Sequence, residues 1–189
     1  MRWLLLAALV LGLAGCGGGP KTRFYTLVPV GPDRTVAADF HGLPLRVGHV
    51  ELPADLDRAS LVTLGPGTAV SVSNDERWVA PLDQLVRTAL TADLRARLGQ
   101  GAVLAPNDPV PPRGERTVVL AVQRFSSDSA GQVVLTADWS LARQHPPRPG
   151  PLHHVRIVAA AGSTQGGAVA DAMSRALGRL ADHIARDTQ

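Results

Sequence analysis

Among the residues whose chemistry could define this 189-residue chain, Cys16 stands apart as its only cysteine. No intramolecular disulfide can exist, even in an oxidising compartment. Six histidines, His41, His49, His145, His153, His154 and His183, are scattered, and only His153 and His154 are adjacent. Neighbours in an extended strand point to opposite faces, so that pair is a poor chelate. Asp55, Asp57, Asp75 and Glu76 fall in segments that read as loops, where solvation or helix capping is the ordinary role of a carboxylate. Nucleophile elbows, phosphate loops and zinc-protease spacings are absent from the sequence. These residues point to no enzyme, no catalytic residue, no metal and no cofactor.

The surroundings of Cys16 give its thiol a different role. Arg2 is followed by an apolar run from Trp3 to Leu13, then by the small residues Ala14 and Gly15. That is the layout of a secretory signal. The run is well short of the roughly 20 residues that a spanning helix needs, which disfavours a retained transmembrane anchor. Leu13-Ala14-Gly15-Cys16 resembles the bacterial lipobox, in which a diacylglyceryl group joins the cysteine sulfur and cleavage frees the amine for an N-acyl chain. A core thiol is the plainer alternative, but Gly17 to Gly19 behave as a flexible leash. The expected organisation is a signal peptide over 1–15, a lipidated cysteine and linker over 16–22, and one domain over 23–189. Gly17 rather than an aspartate after the cysteine is compatible with the outer membrane, with the domain on its periplasmic face.

Charge adds little. Lysine and arginine number 19 against 16 acidic residues, and removing Arg2 with the signal leaves 18. The pI near 10.0 reflects arginine in place of lysine, and no basic block suggests nucleic-acid binding.

The positioning elements follow from periodicity. Thr22–Val28 reads as a first strand and Leu45–Leu52 as a second. Leu61–Leu64 and Ala69–Ser73 flank a Gly65-Pro66-Gly67 turn. Trp78, Leu82, Leu85, Val86, Ala89, Leu90, Leu94 and Leu98 recur at helical spacing, predicting a helix over Pro81–Leu98 with Arg87, Thr91 and Arg95 opposite. Asp93 falls inside that apolar stripe and is read as a partly solvated or capped acid. Residues 101–116 are expected to be a loop. Thr117–Phe125 and Val133–Leu141 form the clearest hairpin, because the second alternates apolar and polar side chains. The proline-rich 143–151 segment reads as surface loop, His154–Ala160 as a last strand, and Ala168–Arg186 as a closing helix with Gly178 and Asp182 on its polar side. The predicted class is α+β, with a mostly antiparallel or mixed sheet and two amphipathic helices packed on one face.

The order of short motifs then becomes informative. After the lipobox come Phe24-Tyr25-Thr26-Leu27, Val50-Glu51-Leu52-Pro53 with Leu56-Asp57-Arg58, Arg77-Trp78 with Pro81-Leu82, Leu94 with Leu98, and Ala172-Met173-Ser174-Arg175-Ala176-Leu177. In that order they resemble the ABC-type transport auxiliary lipoprotein component family, which includes the small lipoprotein of the paraquat-inducible system. The resemblance implies an accessory role in lipid transport across the envelope, beside a mammalian-cell-entry (MCE) domain protein, a permease and an ATPase, with no hydrolysis by this subunit. Self-association is left open.

Residue roles beyond Cys16 stay divided at this stage. Arg77 and Trp78, read as lying just before the first helix, either cap the core and pair with a nearby acid or contact a partner. Tyr25 is likewise core, edge or contact. The competing function is a general envelope structural or assembly lipoprotein that binds peptidoglycan or an outer-membrane protein.

Overall fold

In a computed structural model, residues 21–32, 40–143 and 146–188 are described. Cys16, the signal peptide, most of the linker and His145 lie outside them. In chain order the elements are β1 (Arg23–Tyr25), β2 (Leu45–Glu51), β3 (Ser60–Leu64), β4 (Val70–Trp78), α1 (Leu82–Leu98), a 3-10 turn (Gln100–Ala102), β5 (Val103–Leu104), β6 (Arg116–Ser127), β7 (Gln132–Arg143), β8 (His153–Ala160) and α2 (Gly166–Arg186).

β6 is the axis of the sheet. One edge carries β7 in the hairpin that the alternation predicts, with β8 antiparallel beyond it. The hairpin turn is closed by Asp128, whose Oδ1 accepts the N–H groups of Ala130 and Gln132, both at 2.9 Å. Gly131 completes it at φ +72°, where a Cβ would also stand 2.9 Å from the Ser163 carbonyl oxygen. The other edge of β6 is shared between two strands. Arg116–Ala121 pair in parallel with β2, which carries β5 outside it, while Ser127 meets Thr63 of β3. β3 leads to antiparallel β4 and parallel β1. The eight-stranded sheet is therefore mixed.

The two helices pack against each other and share one face of this sheet, α1 over β2 and β5, α2 over β7 and β8. Val86, Leu90 and Leu94 of α1 meet Met173, Leu177, Leu180 and Ile184 of α2 and the inward side chains Val133, Leu135, Ala137 and Trp139 of β7 in one core. Each buried aliphatic contributes about 1.5–3 kcal/mol as an upper estimate. The opposite face is wet, as Val119, His154 and Arg156 show.

Several local expectations are corrected by long-range pairing. The first strand is only three residues, because the chain leaves β4 after Tyr25. β4 runs on through Ser73-Asn74-Asp75-Glu76-Arg77-Trp78, so Asp75 and Glu76 are strand residues rather than loop, and Arg77 and Trp78 close a strand. The hydrogen bonds come from β1 and from Ser60 of β3, which the polar local sequence does not advertise. The stretch 101–116 holds a 3-10 turn and β5, and Arg46 fastens the rest of it. Its guanidinium donates to both Glu115 carboxylate oxygens at 2.8 Å and to the carbonyls of Ala105, Pro106 and Asp108. Asp93 is fully buried rather than partly solvated, and Thr91 and Gly178 are buried rather than on polar faces.

Candidate functional site

The segment that leads from the linker into the domain explains the misfits on the helices. After β1, Leu27 sinks into the core and the chain through Val30 lies across α1 and α2. An extended segment outside a sheet needs partners for its backbone. The Val28 N–H donates to Ser174 Oγ at 3.0 Å, and the Val30 N–H to Asp93 Oδ1 at 2.6 Å. The Val30 carbonyl accepts from Arg97 Nη1 at 3.0 Å. Gly178 makes the room: a Cβ there would stand 3.0 Å from Val30 Cβ.

Asp93, Arg97 and Asp182 form a chain of charge under this segment. Arg97 Nε donates to Asp182 Oδ1 at 2.6 Å, while Arg97 Nη1 stands 3.7 Å from Asp93 Oδ1. Asp93 Oδ2 is buried without a hydrogen-bond partner. Burial pushes the Asp93 carboxyl up to about 6, against the opposing pull of the Val30 N–H and Arg97.

A second corner holds the residues singled out from the sequence. Tyr25 and Trp78 are register partners in the parallel β1–β4 pair. Trp78 is 4% exposed and packs with Leu56, Leu61, Leu82, Phe125 and Met173. The Tyr25 hydroxyl donates to Glu76 Oε1 at 3.2 Å, and the same oxygen accepts the Gly166 N–H at 3.3 Å and pairs with Arg23 at 3.2 Å. Glu76 thus supplies a carboxylate to the unsatisfied N–H end of α2. Burial, then the Glu76 charge, raises the Tyr25 phenol above its ordinary value. Gly166 must be glycine here, because a Cβ would lie 2.6 Å from the Tyr25 ring. Arg77 points to the other face, exposed beside its register partner Phe24.

The histidine pair divides as expected. His153 stacks on Trp139 with centroids 4.3 Å apart and reaches Asp187 at 2.8 Å, whereas His154 meets Asp138 at 2.7 Å on the wet face. Among the described residues no group of three or more His, Cys, Asp or Glu converges on a metal position. No described helix is long and apolar enough to cross a membrane. The outer edge of β8 is covered from α2, where Arg175 and Arg179 donate to the carbonyls of Ala160 and Val158 at 2.6 and 2.7 Å. That removes acceptors which another strand would need.

Against known proteins, residues 25–185 match the family described as ABC-type transport auxiliary lipoprotein component. This chain belongs to that family. The match takes in the segment that crosses the helices, the Glu76 corner and nearly all of both helices. The intermembrane transport lipoproteins PqiC of Escherichia coli (strain K12) and of Shigella flexneri are each 30% identical over 146 residues, covering 76% of this chain and 75% of theirs. Two crystal structures share the fold: one of an uncharacterized protein, at TM-score 0.70 and 19% identity over 90% of this chain and all of that one, and one from Xanthomonas campestris, at TM-score 0.70 and 18% identity over 87% and 93%. As a member of the auxiliary lipoprotein family, the protein has an accessory role in an envelope transport system and is not an enzyme. The family implies no cofactor.

What the residue types missed is the set Asp93, Arg97, Ser174 and Gly178. The signals were present as exceptions: an acid inside an apolar stripe, an arginine one turn later, and two small residues one turn apart on the second helix.

Proposed function

We propose that this auxiliary lipoprotein is acylated on Cys16, stands on the periplasmic face of the outer membrane, and serves an MCE-type lipid transport system by protein contact. The match of 25–185 to the auxiliary lipoprotein family carries this reading, together with the relatives named as intermembrane transport lipoproteins. The partners would be an MCE-domain protein and, through it, a permease and an ATPase. Of the three residues considered for partner contact, Arg77 offers an exposed side chain. Tyr25 and Trp78 would act indirectly, by holding the β1–β4 pair that presents it.

Two measurements test this. Palmitate labelling should mark the wild type and not Cys16→Ser, and label on Cys16→Ser would refute acylation at this position. Affinity purification of the wild type from solubilised envelopes should bring down an MCE-domain protein, and cross-linking to peptidoglycan or to a barrel protein without any MCE protein would refute the transport assignment.

A further inference from the structure

We propose that the outward face of the β1–β4 pair, centred on Phe24, Arg77 and Val79, rests on the phospholipid surface that holds the acyl anchor. Phe24 in β1 is 63% exposed and Val79, just after β4, is 61% exposed, so the two put exposed apolar surface on adjacent chain segments. Arg77 is the register partner of Phe24, and the Val79 N–H donates to the Tyr25 carbonyl at 2.9 Å, so the three residues stand side by side. Tyr25 and Trp78 alternate with them toward the core, which leaves Phe24, Arg77 and Val79 on the outer side.

The tether length selects the occupant. Cys16 precedes Phe24 by eight residues, which span at most about 29 Å when fully extended. Three of the residues between are consecutive glycines. With acyl chains on Cys16, the aromatic ring and its neighbours are held within reach of the headgroups whatever else the domain binds. Phenylalanine and valine suit the headgroup–acyl boundary, about 5–10 Å deep, and the Arg77 guanidinium matches lipid phosphate there. Lys21, exposed just before β1, adds a second cation on the tether side. The exposed Leu152 lies beside β8, on the opposite edge of the sheet, and would face away.

This inference rests on the acylation proposed above, and one experiment separates the two. Acylation consumes the only thiol, so the full lipidated chain has none to label. Phe24→Cys, Val79→Cys and Leu152→Cys are each coupled to an environment-sensitive dye and placed in phosphatidylethanolamine–phosphatidylglycerol vesicles. All three sites are exposed, so the variants should melt like the parent. Dye at positions 24 and 79 should emit to the blue and be quenched several-fold more strongly by spin-labelled lipid than dye at position 152. Emission and quenching at 24 and 79 equal to those at 152 would overturn the membrane-resting face alone. Dye uptake by the parent chain at Cys16 would overturn the anchor, and this proposal with it.

Discussion

Asp93 on the first helix accepts the backbone N–H of Val30 at 2.6 Å, across 63 residues of sequence. The strap that follows β1 is thereby fastened to α1 by a carboxylate taken entirely out of water. Arg97, four residues on, completes the clasp by donating to the Val30 carbonyl.

The clasp should make stability depend on pH. Between the ordinary aspartate value of 3.8 and the folded value of about 6, the folded chain holds a proton that the unfolded chain has released. Stability from this group is therefore fully present below the lower value, falls as pH rises through the window, and is level above it. The span corresponds to roughly 2–3 kcal/mol. Asp93→Asn keeps the acceptor for Val30 and has no proton to lose, so urea unfolding at pH 4 and pH 7 should differ by less in the variant than in the wild type. Asp93→Leu leaves the Val30 N–H without its acceptor while Arg97 keeps Asp182, which should cost about 1–3 kcal/mol at pH 7.

At the start of α2, Gly166→Ala forces a methyl group to 2.6 Å from the Tyr25 ring and 2.8 Å from Glu76 Oε1. Overpacking of this kind costs typically 1–3 kcal/mol. Gly167→Ala meets the same ring at an ordinary 3.7 Å and should leave the unfolding midpoint unchanged or raise it.

Tyr25 is the only tyrosine in the chain, so its phenol can be titrated by ultraviolet absorbance without overlap. Its value stands above that of a free tyrosine through burial and then the charge of Glu76. Glu76→Gln should move the titration down in pH, since the neutral amide removes the repulsion of the phenolate. An unchanged titration would mean that Glu76 does not approach the hydroxyl in solution.

Arg77 and Trp78 are adjacent in sequence and should separate cleanly on substitution. Trp78→Ala empties a core position and should cost about 3–5 kcal/mol in thermal or chemical unfolding. Arg77→Ala should stay within about 0.5 kcal/mol of wild type, with any loss appearing only in partner or membrane association.

Replacing both Arg175 and Arg179 by Ser uncovers the Ala160 and Val158 carbonyls on the edge of β8. The expected outcome is concentration-dependent self-association, seen by light scattering, with little change in the melting curve of the dilute protein.

How much of this was legible beforehand depended on how local the cause was. The helices over 82–98 and 166–186 and the β6–β7 hairpin were readable within one or two residues at most ends, because their apolar periods are written in consecutive side chains. The polar run Ser73-Asn74-Asp75-Glu76-Arg77 was not readable as strand, because β1 and β3 supply its backbone partners. Trp78 looked like a member of the helical stripe, since its spacing from Leu82 fits a helix as well as it fits the end of β4.

The sequence by itself determined which segments are amphipathic, where most turns fall and that the chain holds a single thiol, all of them legible from the residues alone. Only the tertiary structure decided that β6 divides its edge between β2 and β3, that residues 27–30 lie across both helices, and that Asp93 is a buried clasp. Each of those joins groups tens of residues apart, and desolvation of a carboxylate depends on which distant atoms exclude the water.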